Sequence, residues 1–271
     1  MIRSRVHPDL ARAPELAAER GGALGRPMRL LATTTSTSDE AKRAAKEGAP
    51  HGATWVAEQQ SAGRGRQGRA WVSAPGENLL FSVLVRTTCA PARLPPIAIA
   101  AGLAVRDAVA RAAPGAAPVV KWPNDVLVAG RKVAGVLVEA ITAGSRVEAL
   151  VIGVGINVLA RAFPEDIADR ATSVALAAGE GAPAPDRALL LADVLAGLDR
   201  ELHVVVARGL GLLRARLDAC DALRGRRVRS DAGDEGVANG IDDDGRLVVR
   251  RDDGTLVRWS AGEVHLAPGR G

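Results

Sequence analysis

Apolar residues recur along this chain at two spacings, and the switches between them mark out its elements. Ile97, Ala100, Ala101, Ala104, Val105, Ala108 and Val109 fall at i, i+3, i+4, which predicts an amphipathic helix over 96–112 ending near Pro114-Gly115. Further helices are predicted over about 186–207 and 211–222. A shorter one over 39–47 takes Ser38 as its N-cap, with Asp39 and Glu40 in the first turn, where the helix dipole favours negative charge. Alternation of apolar and polar positions predicts strands over 54–58 and 78–86. Three longer strand-like runs follow at 119–128, 132–141 and 147–158. Ala129-Gly130-Arg131 and Ala143-Gly144-Ser145 separate them, and both tripeptides suit hairpin turns. A polar, proline-containing segment, 159–172, has no clear period.

The two ends differ from this middle. Residues 1–28 are rich in Arg, Ala, Gly and Pro with weak periodicity, and read as a poorly ordered lead-in. They are too few for a helix-turn-helix head, so DNA binding is not expected. The tail carries short strands at 226–230, 235–241, 246–251, 255–260 and 263–266, with Gly233, Asp244-Gly245 and Asp253-Gly254 at the turns. Such a set predicts a small β-barrel of the SH3-like type. The chain thus divides into 1–28, a large domain over 29–222 and a small one over 223–271. Segregated strands and helices make the fold class α+β, with a mixed β-sheet flanked by helices in the large domain.

Composition narrows the chemistry. The pI near 10.0 suggests nucleic acid, but the net charge is only +5 and there is no Tyr. Arginine dominates the cations and few groups lose a proton between neutrality and the pI, so the high pI needs no strongly basic surface. No apolar run approaches the ~18 residues of a membrane helix, and no apolar stretch follows Arg3 and Arg5 as in a signal peptide. Cys89 and Cys220 lie far apart without a CxxC, which excludes a disulfide framework and fits a reducing cytoplasm.

Three segments carry candidate chemistry. In Gly63-Arg64-Gly65-Arg66-Gln67-Gly68-Arg69-Ala70-Trp71, glycines allow close backbone approach and arginine forks suit phosphate or carboxylate. The frame is not a P-loop, because Arg69-Ala70 stands where Lys-Ser/Thr is required. Alone, the segment fits a solvated basic loop or an RGG-like RNA contact equally well. In Lys121-Trp122-Pro123-Asn124-Asp125 followed by Gly130-Arg131-Lys132-Val133-Ala134-Gly135, two of only four lysines stand near strand ends. Held by apolar neighbours, a lysine there can face a developing anion; a polar hairpin turn is the plainer reading. Gly153-Val154-Gly155-Ile156-Asn157 lacks the third glycine of a dinucleotide fingerprint but can let a ligand lie against the backbone. No Ser/His/Asp or Cys/His constellation accompanies these segments.

Taken together over about residues 29–268, these segments resemble the biotin protein ligases. The resemblance rests on Ser36-Thr37-Ser38, Gln60 before the Ala62–Arg66 glycine-arginine run, Trp71, the Lys121–Asp125 run, Lys132-Val133-Ala134-Gly135 and Gly153–Asn157, in that order. It departs from the family's usual Ser-Thr-Asn at Ser38, and the head that makes some members repressors is missing. The resemblance implies the class II synthetase-like ligase fold and a two-step reaction on biotin and ATP, with Mg2+ expected. Biotin's carboxylate attacks the α-phosphate, and the acyl-adenylate then passes biotin to a lysine of a biotin carboxyl carrier domain. It further implies that Ser36, Thr37, Ser38 and Gln60 hold the biotin head while Arg64, Gly65 and Arg66 close over it. Arg66 and Arg69 would meet phosphates, and Trp71 would lie along adenine. Lys121, Asn124, Asp125 and Asn157 would serve the nucleotide. Lys132 would reach the biotin carboxylate and the α-phosphate, making Lys132 and Arg66 the catalytic pair. No metal ligands, DNA or membrane follow from it, and a homodimer is left open. A lipoate ligase of the same fold and a non-enzymatic RNA-binding protein are the alternatives.

Overall fold

The computed structural model describes residues 7–71, 73–144 and 146–267. Its large part is built on a seven-stranded mixed sheet in the order β1-β2-β3-β7-β6-β5-β4. The strands are β1 (Met28–Thr34), β2 (Thr54–Gln60), β3 (Asn78–Cys89), β4 (Val119–Lys121), β5 (Asp125–Val128), β6 (Arg131–Ala143) and β7 (Arg146–Asn157). Only β1 and β2 pair in parallel, joined by the crossover helix α2 (Thr37–Lys46); every other neighbour is antiparallel.

Alternation along β3 shows how the sheet separates two faces. Leu79, Phe81, Val83 and Val85 join the large core beneath α3 (Leu94–Ala112) and α5 (Arg187–Arg208). Leu84 turns the other way, into a small cluster with Trp55, Ala149, Val151 and the Ala41 and Ala45 of α2. One thin helix therefore covers the second face, and the part of that face it leaves uncovered is where the motif residues gather.

Several expectations need correction. The run 119–128 is two strands, because Trp122-Pro123-Asn124 turns the chain where proline cannot extend the ladder. Helix α2 begins two residues early, with Ser36 rather than Ser38 at the N-cap. A short helix α4 (Val174–Ala178), unmarked by periodicity, is capped by Ser173, whose Oγ accepts the Leu176 N–H. The lead-in is ordered from His7: a 3-10 turn (Pro8–Arg12) runs into α1 (Ala13–Glu19), and Leu10, Ala13, Ala17 and Leu24 are buried. Its apolar stripe is made largely of alanines, which read weakly in a sequence. Residues 1–6 lie outside the described residues. After α6 (Arg214–Cys220), the tail forms the expected strands as a five-stranded antiparallel sheet, β11-β10-β9-β8-β12. These are β8 (Arg227–Ser230), β9 (Glu235–Ile241), β10 (Leu247–Arg250), β11 (Leu256–Trp259) and β12 (Val264–Leu266).

Candidate active site

The site begins at the first turn of α2. Ser36 makes no side-chain capping bond, and the missing cap comes from another strand. Gln60, the last residue of β2, accepts at Oε1 from the Thr37 backbone N–H (2.7 Å) and from Thr37 Oγ1 (3.1 Å). An orphan helix N–H is thereby satisfied by a site residue. Thr37 Oγ1 and Ser38 Oγ then lie 2.8 and 3.0 Å from Ser82 Oγ on β3. Ser36, Thr37, Ser38 and Ser82 are all nearly or fully buried, so this is a hydrogen-bonded hydroxyl row inside the protein. Ser82 was not singled out from the sequence, although a serine inside the apolar run 79–85 is the signal that marks it.

The neighbouring floor is made by glycines. A Cβ on Gly153 would stand 2.9 Å from Ser38 Oγ. Two residues on, and so on the same face, a Cβ on Gly155 would stand 2.6 Å from the Trp71 ring. The indole lies directly on this bare backbone, with Gly135, the partner of Gly155 across the β6–β7 ladder, beside it. Lys132 Nζ stands 5.6 Å from the ring centroid, within reach of a cation–π contact. The same ammonium pairs with Asp125 Oδ1 at 2.7 Å. Hydroxyl row, glycine floor, indole and lysine thus follow one another along a single face of the sheet.

The glycine-arginine segment is a small hairpin above this face. Gly65 N–H donates to Arg69 O (2.7 Å) and Trp71 N–H to Gly63 O (2.9 Å). Its three arginines diverge. Arg64 forks onto both oxygens of Asp39. Arg66 turns inward, its Nη1 3.5 Å from Asn124 Oδ1, and burial lowers its guanidinium pKa while Asp125 and Glu263 oppose the shift. Arg69 pairs with Glu263 of the tail sheet. Asn124 is fixed on both sides of its peptide, donating from Nδ2 to Val136 O and accepting the Val136 N–H at its carbonyl. Lys121 stands opposite Asp125 in the β4–β5 register. Asn157 closes the far end, donating from Nδ2 to Thr172 O at 3.0 Å. Thr172 in turn donates its N–H to Lys132 O, and Lys132 donates its own to Arg170 O. The structure therefore gathers Ser36, Thr37, Ser38, Gln60, Arg66, Trp71, Asn124, Asp125 and Lys132 on one face. The guanidinium groups of Arg64 and Arg69 are engaged by protein carboxylates, and the Asn157 amide by backbone.

A neutral, directional hydrogen-bonding end joined by an apolar floor to a cationic end suits a ligand with a polar amide-like head, an apolar stem and an anionic tail. Residues 30–157 match the Biotin/lipoate A/B protein ligase family and residues 225–266 the Biotin protein ligase C terminal domain. A biotin--[acetyl-CoA-carboxylase] ligase of Mycobacterium tuberculosis is 36% identical over 250 residues, covering 89% of this chain and 90% of that relative. The chain belongs to the biotin protein ligases. A bifunctional ligase/repressor of Bacillus subtilis is 32% identical, with 84% of this chain matched to 70% of that protein. Among solved structures, the biotin protein ligase from Aquifex aeolicus in complex with biotin and ATP superposes with a TM-score of 0.76. It is 26% identical and covers 89% of this chain and 100% of its own. This ligase therefore carries the family's fold in both its parts.

Proposed function

We propose that the face described above activates biotin with ATP and passes it to a carrier lysine. The single observation that carries this reading is the continuity of the buried hydroxyl row, the glycine floor under Trp71 and the Lys132–Asp125 pair on one sheet face. Thr37, Ser38, Ser82 and Gln60 offer donors and acceptors for a ureido head. The backbone at Gly155 is already covered by the Trp71 ring, and that ring supplies the apolar surface for biotin's chain. Lys132 and Arg66 then meet the carboxylate and the α-phosphate. In the first step a biotin carboxylate oxygen attacks the α-phosphorus and pyrophosphate leaves. In the second, the carrier's ε-amine attacks the acyl carbon, AMP departs and an amide forms. Both nucleophiles belong to substrates, so the protein's part is to orient them and to stabilise charge at the α-phosphate. That explains the lack of a nucleophile–base constellation in the sequence.

Magnesium does not fit a resident site here. Asp125 is the only carboxylate among the named nucleotide-end residues, and Lys132 already pairs with it. Magnesium commonly binds through one or two carboxylates together with substrate phosphates, so it belongs with ATP as part of the substrate. An RNA-binding reading loses its main support, since Arg64 and Arg69 are matched by Asp39 and Glu263. No helix among the described residues is long and apolar enough to cross a membrane.

The test is pyrophosphate release from ATP with biotin, with lipoate and with neither, followed by label transfer to a biotin carboxyl carrier domain. Release that depends on biotin and transfer to the carrier are expected. Equal release in all three arms would sink the reading, and release driven by lipoate would redirect it to the alternative acid.

A further inference from the structure

Asp39 occupies the same first turn of α2 that bears Thr37 and Ser38, and both its oxygens face the hairpin above. Arg64 Nη1 donates to Oδ2 at 2.8 Å and Nη2 to Oδ1 at 2.5 Å. Such a fork-to-fork pair fixes orientation as well as distance. The Arg64 hydrogen bonds hold the Asp39 carboxyl below its ordinary value, and those bonds raise the Arg64 guanidinium. Behind the pair stands Glu139 of β6, with Oε2 4.0 Å from Arg64 Nη2, and its other oxygen pairs with Lys42 of α2. Charges of alternating sign therefore tie the hairpin to a helix and to a strand that line the site. The helix does not need Arg64 for its own first turn, because Gln60 already supplies the cap.

We infer that Asp39 is a positioning residue for the reaction: by gripping Arg64 it fixes the base of the 63–71 hairpin, and so places Arg66 and Trp71 over the floor. Asp39 touches no substrate and acts through Arg64. The inference rests on the reading that this hairpin covers biotin and its adenylate.

Four variants test it: Asp39→Asn, Asp39→Glu, Arg64→Asp, and the exchanged pair Asp39→Arg with Arg64→Asp. Each is first checked for folding by circular dichroism. Steady-state pyrophosphate release gives KM for biotin and kcat, and filtration gives the rate at which preformed biotinyl-adenylate is lost. Asp39→Asn and Arg64→Asp are each expected to raise KM and speed adenylate loss by roughly fivefold, with a smaller effect on kcat, the upper end of what a half-exposed bidentate pair contributes. The exchanged pair is expected to recover part of both, because it restores the fork while setting an aspartate beside Glu139 and an arginine near Lys42 at the positive end of α2. Asp39→Glu, which keeps the charge, is expected to stay within about twofold of wild type. A general loss of stability would not produce recovery by exchange. Asp39→Asn and Arg64→Asp both within twofold of wild type, an exchange no better than its parts, or Asp39→Glu as poor as Asp39→Asn would each overturn the role. Those outcomes leave the ligase reading intact, whereas wild-type protein without biotin-dependent release would overturn that reading instead.

Discussion

Lys132 illustrates how much one side chain can depend on its surroundings. Its ammonium is held between a carboxylate, Asp125, and the face of an indole, Trp71, while its backbone is bonded on both sides to the 170–172 segment. A charge fixed this way needs little reorganisation when negative charge builds at the α-phosphate. Lys132→Ala is expected to leave the fold intact and slow biotin-dependent pyrophosphate release by about 10²–10³-fold, the usual loss for one such contact. Release at the wild-type rate would remove Lys132 from the mechanism. Gly155 makes a second case, because its role is to be absent. A methyl group there would stand 2.6 Å from the Trp71 ring, and backbone on one side and a packed ring on the other leave nothing flexible to yield. Gly155→Ala should therefore displace the indole, shift its fluorescence and weaken biotin binding in calorimetry; an unchanged spectrum with unchanged affinity would show that the ring has another resting place. Such residues were legible in the sequence as types, since glycine pairs and rare lysines stand out. Their partners were not. Asp39 read only as a favourable charge at a helix start, because what pairs with it is 25 residues away on a hairpin whose course no local pattern predicts.

At the scale of elements, periodicity succeeded where one residue type dominates a face. The α3 and α5 helices and the five tail strands lie within a few residues of their predicted limits. It failed where side chains are small or where the chain's course depends on distant bonds. The α1 stripe is mostly alanine, and β1 mixes Met28, Leu30 and Leu31 with Arg29 and threonines, so neither has a sharp period. The irregular 159–172 segment owes its place to remote bonds at both ends: Leu159 N–H to Glu77 O at its start, and Lys132 N–H to Arg170 O, Thr172 N–H to Lys132 O and Asn157 Nδ2 to Thr172 O at its end. Asn157 is thus the pin of a strap that ends on the backbone of Lys132. Asn157→Ala leaves a buried carbonyl without its donor, which weakens the strap locally. Limited proteolysis within 159–172 should accelerate, and kcat should fall through the freed Lys132. Cleavage at the wild-type rate together with normal kcat would mean the two backbone bonds to Lys132 suffice alone.

Across the whole molecule, both ends of the chain close on the large sheet. At one end Arg187, fully buried at the start of α5, forks onto Asp9 and reaches Glu58 of β2, so residues 7–9 complete a buried ion network. At the other, Leu223, Val228, Ala238, Ile241, Leu247, Val249 and Val264 belong to the same hydrophobic core as α3 and β7, and the tail sheet is no separate bead. Polar contacts join that sheet to the site, among them the hydrogen bond of Gln67 to Asp231. Glu263 takes Arg69 from the 63–71 hairpin, and the Gly245 carbonyl accepts the indole N–H of buried Trp122 at 2.9 Å. Trp122 lies next to Pro123 and Asn124, so the tail's β9–β10 turn rests on the segment that carries Asn124 and Asp125, the proposed nucleotide end. Removing the tail would expose a shared core, and a truncated protein would confuse instability with lost catalysis. Trp122→Phe separates them better: it keeps an aromatic ring in the buried site while removing the N–H and a small part of the ring volume. The orphaned Gly245 carbonyl and the small cavity together should cost about 2 kcal/mol, a fall in Tm of about 4–8 °C for a chain of this length. If the turn positions the nucleotide end, KM for ATP should rise while biotin affinity in calorimetry stays within a few-fold. A lower Tm with both substrates bound normally would make the contact purely structural. A parallel loss of both would mean that it supports the whole site rather than its nucleotide end.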